Sequence, residues 1–305
     1  MGVKMVDTIL VTGGYGFIGT NFIRYILPIS GFNIINLDLE TYAANPANLE
    51  DLKLNKKFFN VKGDIADKNL VMQILDETKP KYIVNFAAES HVDNSLKESN
   101  PFWHSNVEGA NNLLECARDY GKLEKFLQVS TDEVYGSTPS GAFSESSPFK
   151  PTSPYAKSKA AAERIARDYF RNGEVPVVIT RSSNNFGPYQ HPEKFIPRSI
   201  TNVLVGTGVP LMNKGINVRD WIHVQDNVEA LYQVLLRGKI GEAYNISGGN
   251  ELQNIEIVNM ILGKLRENDS DEDKRKWIRE IEDRKNHDLR YAITGAKIRK
   301  ELGWE

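Results

Sequence analysis

The chain has 305 residues, enough for one large domain or two modest ones that each bury a core. Lys and Arg number 38 against 40 Asp and Glu, and the formal net charge of -2 excludes nucleic acid as an obligate partner, because phosphate backbones select basic faces. No stretch has the unbroken apolar length of a membrane span, and the single cysteine, Cys116, excludes an internal disulfide and a cysteine-based metal site.

Short apolar runs alternate with amphipathic stretches, the pattern of a parallel sheet covered by helices. Strands are predicted over 8–12, 33–37, 58–61, 82–86, 126–129 and 177–180, and helices over 19–27, 69–78, 102–120 and 154–170. Cys116 falls on the third of these helices and reads as a small core residue. After Arg181 the segment 182–215 is rich in Asn, Pro and Gly, with an amphipathic insert over 194–205. A helix over 224–236 and a strand over 243–246 follow; 260–266 reads as helical and 267–273 as a solvated loop or helix end. The expected fold is α/β: a Rossmann-type doubly wound parallel sheet over 1–183, with returning segments near 216–248, and a smaller C-terminal substrate-binding lobe from 184–215 and 249–305. A cleft between lobes is the expected place for a ligand. The first residues show no basic-then-apolar export pattern, so the expected compartment is the cytosol.

The first strand ends in Thr12-Gly13-Gly14-Tyr15-Gly16-Phe17-Ile18-Gly19, and a helix pattern follows at once. Gly13, Gly16 and Gly19 supply a tight turn, close backbone approach to a pyrophosphate and close helix-to-strand packing; the helix N-terminus offers unpaired N–H groups to the phosphates. A glycine triplet alone fits any tight strand-to-helix turn. Its place here, with Asp38 at the end of the second strand, points to a dinucleotide. A carboxylate at that position accepts hydrogen bonds from the adenosine ribose and repels a 2′-phosphate, so the expected cofactor is NAD rather than NADP. The plainer reading of Asp38 is a strand-end turn residue. Asp64 and Ile65, after the third strand, stand where such folds flank the adenine.

Tyr155 and Lys159 lie four apart near the start of a helix and share a face. Free tyrosine, with a pKa of about 10, is a poor base at neutral pH. An ammonium one turn away, with a positive nicotinamide, is expected to favour the phenolate; lowering the pKa by about three units requires roughly 4 kcal/mol. Such pairs are also common on helix surfaces. Ser130-Thr131 at the end of a buried strand, after a dinucleotide turn, favours hydride transfer. The combination resembles the extended, sugar-nucleotide-modifying branch of the short-chain dehydrogenase/reductase superfamily. There a Ser or Thr, the Tyr and the Lys form the catalytic group, which implies Thr131, Tyr155 and Lys159.

The stretch Ser130-Thr131-Asp132-Glu133-Val134-Tyr135-Gly136 fits a helix start, since Ser130 three before Glu133 makes a capping box. It also sets two carboxyl groups past the end of a central strand, where wound sheets bind ligands and where neighbouring acids can be pushed apart in pKa. Epimerases of this branch need no such pair, whereas elimination of water does. With this motif the chain resembles, over nearly all its length, the dehydratases of the NAD-dependent epimerase/dehydratase family. The resemblance also rests on Ala87-Ala88-Glu89-Ser90-His91-Val92-Asp93, Ser153-Pro154-Tyr155, Ser183-Asn184-Asn185-Phe186-Gly187-Pro188-Tyr189, Glu193-Lys194-Phe195-Ile196-Pro197, Arg219-Asp220-Trp221 and His287-Asp288.

The resemblance implies dTDP-glucose as substrate and a three-step cycle. Tyr155 takes the C4 hydroxyl proton as the hydride passes to NAD, with Thr131 supporting the oxygen. Glu133 removes the C5 proton as Asp132 protonates the departing C6 hydroxyl, and the hydride returns to C6 while a proton returns to C5. It further implies cofactor contacts at Phe17, Ile18, Leu39, Thr41, Ala87, Ala88, Ser90 and Ser105, with Lys159 on the nicotinamide ribose. Glu89, Ser90 and His91 border cofactor and sugar; Asn185 and Arg219 meet the diphosphate, and Asn184 is a further substrate contact. Lys194, Phe195, Pro210, Leu211 and Met212 line the nucleoside pocket, closed by Asn254, Asp283, Arg284 and His287. Plainer readings are a turn former for Asn185, an Arg219–Asp220 ion pair and a capping role for His287. A homodimer through the helices near 102–120 and 154–170 is implied, and no metal is expected, since His91 lacks neighbours at ligand spacing.

Three departures from the family pattern bear on nucleoside preference more than on catalysis: Lys285-Asn286 where Pro-Gly is usual, a short segment between Gly136 and Ser153, and an end at Trp304-Glu305 where relatives continue. Two other readings stay open: an NAD-dependent epimerase or decarboxylase acting on a UDP sugar, and a catalytically silent dinucleotide-binding regulator. The joint presence of Thr131, Asp132, Glu133, Tyr155 and Lys159 speaks against the second.

Overall fold

Apolar runs with no polar face, such as Thr8–Thr12 with every residue buried, belong inside a sheet covered on both sides. The computed structural model describes residues 7–284 and 287–305. Its strands in chain order are β1 (Thr8–Thr12), β2 (Asn33–Asp38), β3 (Phe58–Lys62), β4 (Tyr82–Asn85), β5 (Lys125–Thr131), β6 (Val177–Ser182), β7 (Asn184–Phe186), β8 (Val209–Met212), β9 (Val218–His223), β10 (Ala243–Ile246), β11 (Glu251–Gln253) and β12 (Ile278–Ile281). The helices are α1 (Phe17–Ile26), α2 (Lys68–Thr78), α3 (Val92–Lys97), α4 (Asn100–Trp103), α5 (Ala110–Tyr120), α6 (Pro154–Arg171), α7 (Phe195–Leu204), α8 (Val224–Arg237), α9 (Asn254–Leu265), α10 (Asp271–Lys276) and α11 (Ala296–Leu302).

Seven strands form one parallel sheet in the order β10-β6-β5-β4-β1-β2-β3. One face packs on α1, α8 and α11 through Phe22, Ile26, Leu231, Leu235 and Ile298. The other packs on α2, α5 and α6 through Ile74, Leu113, Leu114 and Ala166; Cys116 is buried there as a core residue. The chain winds outward through β2 and β3, then returns to the far side of β1 at β4. That reversal leaves a crevice at the carboxyl ends of the strands, the usual ligand site in a wound sheet. Outside the large sheet lie a three-stranded sheet, β11-β9-β7, and a pair, β12-β8. A separate apolar cluster of Val203, Val209, Leu211, Val258 and Leu262 supports them.

Within the first 182 residues the predicted elements match to within a few residues, with two exceptions. Helix α3 was not expected, and the helix predicted over 102–120 is broken by a π-helical turn at His104–Gly109 between α4 and α5. Asn106 in that turn is buried; its side chain accepts from Glu89 N–H (2.8 Å) and donates to Glu89 O (3.0 Å) and Ser158 Oγ (2.9 Å), pinning the exit of β4 to α6. Further on, β7, β8, β9, β11 and β12 were not legible, being at most six residues long and without alternation. Of the charged run over 267–273, residues 267–270 form a turn, as expected, and the last three open α10, capped by Ser270, which accepts the Asp273 N–H, with acids in its first turn and bases in its last. Helix α9 starts earlier than expected, at a Gln253–Glu256 capping box. Among the described residues no helix is long and apolar enough to cross a membrane.

Behind the crevice lies a buried ion pair. Arg181 on β6 donates from Nε to both Glu163 carboxylate oxygens (3.1 and 3.0 Å) on α6, and also bonds the Tyr135 hydroxyl and Glu145 O. Both charged side chains are all but inaccessible. Arg181→Met would leave the Glu163 carboxylate buried beside Arg167 alone, so a loss of about 3–5 kcal/mol is expected in denaturant unfolding. The Arg181→Met/Glu163→Gln double variant should recover most of it; a single variant as stable as the parent would contradict the assignment.

Candidate active site

The glycine turn is built as a cradle. Gly13 has φ +70, and a Cβ there would stand 2.6 Å from the Ala87 nitrogen; a Cβ on Gly19 would stand 2.3 Å from Gly13 O. Helix α1 then begins without a side-chain cap and without an acid in its first turn, which leaves its N–H groups and partial positive charge to a ligand. Asp38 holds the turn: one carboxylate oxygen accepts from Tyr15 N–H (2.9 Å) and the other from Glu40 N–H (2.8 Å). A carboxylate has about four lone-pair sites, so capacity remains for ribose hydroxyls. Burial nonetheless raises its pKa, with the two N–H bonds opposing. Asp64 accepts from Ala66 N–H and pairs with His104 at 2.8 Å; that contact, followed by one to Glu108, raises the imidazole's pKa.

Every residue expected at the cofactor lines one cavity of about 230 Å³, from Gly13, Gly16, Phe17, Ile18 and Gly19 through Asp38, Leu39, Thr41, Asp64 and Ile65 to Ala87, Ala88, Ser90, Ser105, Tyr155 and Lys159. Ala43, Ala44, Phe86 and His191 also line it; no motif had singled them out as cofactor residues. The glycine cradle, the uncapped helix and the strand-end carboxylate fit a dinucleotide.

Helix α6 brings up the hydride-transfer pair. Ser153 caps it, accepting the Ala156 N–H at 3.0 Å, and Pro154 opens its first turn. Lys159 Nζ donates to Val129 O at 2.7 Å. Burial pushes its pKa down to about 8, against the opposing charge of Glu163. The expected lowering of the Tyr155 pKa is not produced by the chain's own groups. Burial first, then the charges of Glu133 and Asp132, hold the phenol well above its ordinary value, and only the Thr131 hydroxyl works the other way. The reason is geometric: the Lys159 ammonium is committed to the Val129 carbonyl, while two acids share the phenol's dry surroundings.

The acid pair opens a 3-10 turn, Asp132–Tyr135, at the end of β5. The cap is Thr131, which accepts the Glu133 N–H (3.3 Å), not Ser130, whose hydroxyl has no partner. Asp132 is 3% exposed; Oδ1 accepts from the Thr131 hydroxyl (3.2 Å) and Oδ2 has no partner among the described residues. Burial, then the neighbouring Glu133 charge, push its pKa up to about 8, so it is held as the acid at neutral pH. Burial also raises Glu133, but Arg219, Arg284 and Lys194 oppose the shift.

Glu133 lines a second cavity, of about 250 Å³, with Ser90, His91, Asn184, Asn185, Lys194, Phe195, Pro210, Leu211, Met212, Arg219, Asn254, Arg284 and His287. Thr131, Asp132 and Asp283 are not on its wall. The two cavities abut, sharing Ser90, Glu193 and Lys194. Arg219 donates to the carbonyls of Val218 (2.7 Å), Leu289 (3.2 Å) and Asp288 (2.9 Å) and lies over Tyr291 (4.2 Å). It is not paired with Asp220, which instead accepts from Ser247 Oγ and the Gly248 and Asn250 N–H groups. His287 pairs with Asp283 at 2.6 Å, and Arg284 with Asp93 at 2.9 Å. Lys194 donates to Ser90 O (3.1 Å). Asn184 Oδ1, Asn185 Oδ1 and Trp221 Nε1 are buried without partners among the described residues. Lys285 and Asn286 lie outside the described residues. Reasoning from sequence missed Asp93, Glu193 and Trp221 as lining residues, although each stands in a motif it had quoted; Tyr291 stood in none.

A family model described as GDP-mannose 4,6 dehydratase matches residues 10–305. A dTDP-glucose 4,6-dehydratase of Xanthomonas campestris pv. campestris (strain B100) is 44% identical, covering 98% of this chain and 88% of its own. A low-salt glycan biosynthesis protein of Haloferax volcanii is 46% identical over 97% of this chain and 93% of its own. The crystal structure of DesIV, a dTDP-glucose 4,6-dehydratase from Streptomyces venezuelae with NAD bound, superposes with a TM-score of 0.93 at 45% identity, over 98% of this chain and 91% of that one.

The Asp132 pKa, about 8 folded against 3.8 ordinarily, has a sign that can be checked. The folded form holds a proton that the unfolded form releases above pH 3.8, so stability from this group is present at low pH and lost as pH rises through the folded value. Asp132→Asn should therefore gain thermal stability over the parent progressively from about pH 4 to 8. A Tm difference that does not change across a pH series would contradict the shift.

Proposed function

The chain belongs to the GDP-mannose 4,6 dehydratase family, and on that premise we propose that it converts dTDP-glucose to dTDP-4-keto-6-deoxyglucose, an NAD-dependent hydro-lyase reaction. The observation that carries the reading is the juxtaposition of two chemistries at one strand end: Asp132 and Glu133 just past β5, beside Tyr155 and Lys159 at the start of α6. Bound in the glycine cradle of Gly13, Gly16 and Gly19, with Asp38 at its ribose, NAD would supply a reversible hydride acceptor, and Glu133 would give its proton back to C5 when the hydride is returned to C6. Tyr155 accepts the proton of the C4 hydroxyl, with the Thr131 hydroxyl beside it. Lys159 fixes the ribose side of the cofactor, and its charge, released from Val129, is available to the phenolate. Once C4 is a ketone the C5 proton is acidic; Glu133, kept closer to ionised by Arg219, Arg284 and Lys194, removes it. Asp132, protonated at neutral pH, gives its proton to the C6 hydroxyl as it leaves as water.

Residues 1–183, with α8 and β10 of the returning segment near 216–248, serve the cofactor; 184–215 and 249–305 serve the sugar nucleotide together with β9, which joins the small sheet and carries Arg219. Arg219, Asn184 and Asn185 meet the diphosphate, supported by the free acceptor and donor atoms of that wall and by a guanidinium fixed on three carbonyls. The Asn184 amide can turn its N–H groups to phosphate oxygens, while Asn185 Nδ2 is held on Ser183 O at 3.0 Å. The protein works in the cytosol as a homodimer, a reading supported by exposed Leu96 and Trp103 beside the helices expected to pair. The epimerase alternative leaves the acid pair without a task.

Turnover of dTDP-glucose beside UDP-glucose and GDP-mannose tests the assignment: the 4-keto-6-deoxy product, seen by its absorbance in alkali, should form fastest from the first. Tyr155→Phe should lower turnover by about 10²- to 10⁴-fold, the scale of general acid–base catalysis. Glu133→Gln should still reduce the cofactor on mixing with substrate but release water at least about 10²-fold more slowly. Equal loss of both steps would contradict the division of roles.

A further inference from the structure

The buried network behind the site joins the two elements that carry its chemistry. Tyr155, Lys159 and Glu163 lie at successive turns of one face of α6. Glu163 grips Arg181 on β6, and Arg181 bonds the hydroxyl of Tyr135, the last residue of the turn that Asp132 begins. The same hydroxyl donates to Asn245 Oδ1 on β10 at 2.8 Å. The Tyr135 ring is fully buried, stacked on Phe143 (centroids 5.2 Å) and edge-on to Phe149 (5.8 Å), with the Arg181 guanidinium 5.0 Å from its centroid.

We propose that Tyr135 is a positioning residue for water elimination: its hydroxyl, held between Arg181 and Asn245, sets the orientation of the Asp132–Glu133 turn against helix α6. The inference rests on the dehydratase reading of that pair. A four-residue 3-10 turn has little stiffness of its own. Beyond its Thr131 cap, its backbone is held by Gly136 N–H to Glu133 O (3.1 Å) and Lys150 N–H to Val134 O (3.1 Å). Where the carboxyls point is therefore decided by what fixes the end of the turn. Tyr155 and Lys159 are fixed separately, by α6 and its Ser153 cap, so the two halves of the reaction depend on Tyr135 unequally. A displacement of about 1 Å at a reacting group costs on the order of 10²-fold in rate.

Tyr135→Phe keeps the ring and its stacking and deletes only the oxygen. In single-turnover mixing of the holoenzyme with dTDP-glucose, cofactor reduction and formation of the 4-keto-6-deoxy product are read separately. We expect product formation to slow by about 10-fold or more, with cofactor reduction within about twofold of the parent and KM unchanged. Unchanged product formation overturns the proposal. So does an equal slowing of both steps, the mark of a merely structural residue. If the parent itself gives no product from dTDP-glucose, the dehydratase reading fails and the proposal with it; an active parent matched by the variant sinks the proposal alone. Should Tyr135→Phe not fold, Asn245→Ser, which removes the hydroxyl's acceptor, is expected to show the same split and is judged by the same outcomes.

Discussion

The ion pair between Arg181 and Glu163 is the fixed point to which the cleft is referred. It offers no net stability over a packed apolar pair, but either partner left alone costs several kcal/mol, so the two must meet in one geometry. That requirement ties β6 to α6 and, through Tyr135, to the turn at the end of β5. Strand, helix and turn arrive from residues far apart in the chain, and the pair makes their relative placement all-or-none. The catalytic side chains stand on elements whose mutual positions are already decided by buried charge.

The same dryness tunes the chemistry. Burial acts on each group according to the sign of its charged form: it raises Asp132, Glu133 and Tyr155 and lowers Lys159. Asp132 becomes a proton donor at neutral pH because it is sealed away and adjacent to another carboxyl. Glu133 has a comparable burden but faces Arg219, Arg284 and Lys194, which draw it back toward the anion. Two neighbours in sequence thus differ in environment: Arg219 acts on both, while Arg284 and Lys194 act on Glu133. The same environment raises the pKa of Tyr155, and the Lys159 ammonium, held on Val129 O, does not offset it.

The cavities divide the work without separating it. The glycine turn, α1 and Asp38 shape the first; β7, α7, β8, β9 and the segment around Arg284 shape the second, and Ser90, Glu193 and Lys194 belong to both walls. Two cavities that meet at one wall suit a reaction that lends a hydride and takes it back.

Much of this was legible before any coordinates. The apolar strands of the first 182 residues, the glycine turn with Asp38, the Tyr155–Lys159 spacing and the Thr131-Asp132-Glu133 run are local signals, because strand burial, tight turns and helix faces follow from residues a few positions apart. Residue types alone could not state the protonation of Asp132 and Tyr155, the release of Arg219 from Asp220, or the pairing of Arg284 with Asp93. Nor could they show five short strands of the second lobe, or a network joining Tyr135, Glu163, Arg181 and Asn245. Those are decided by which distant groups share a dry space, and desolvation and charge act through space, not along the chain.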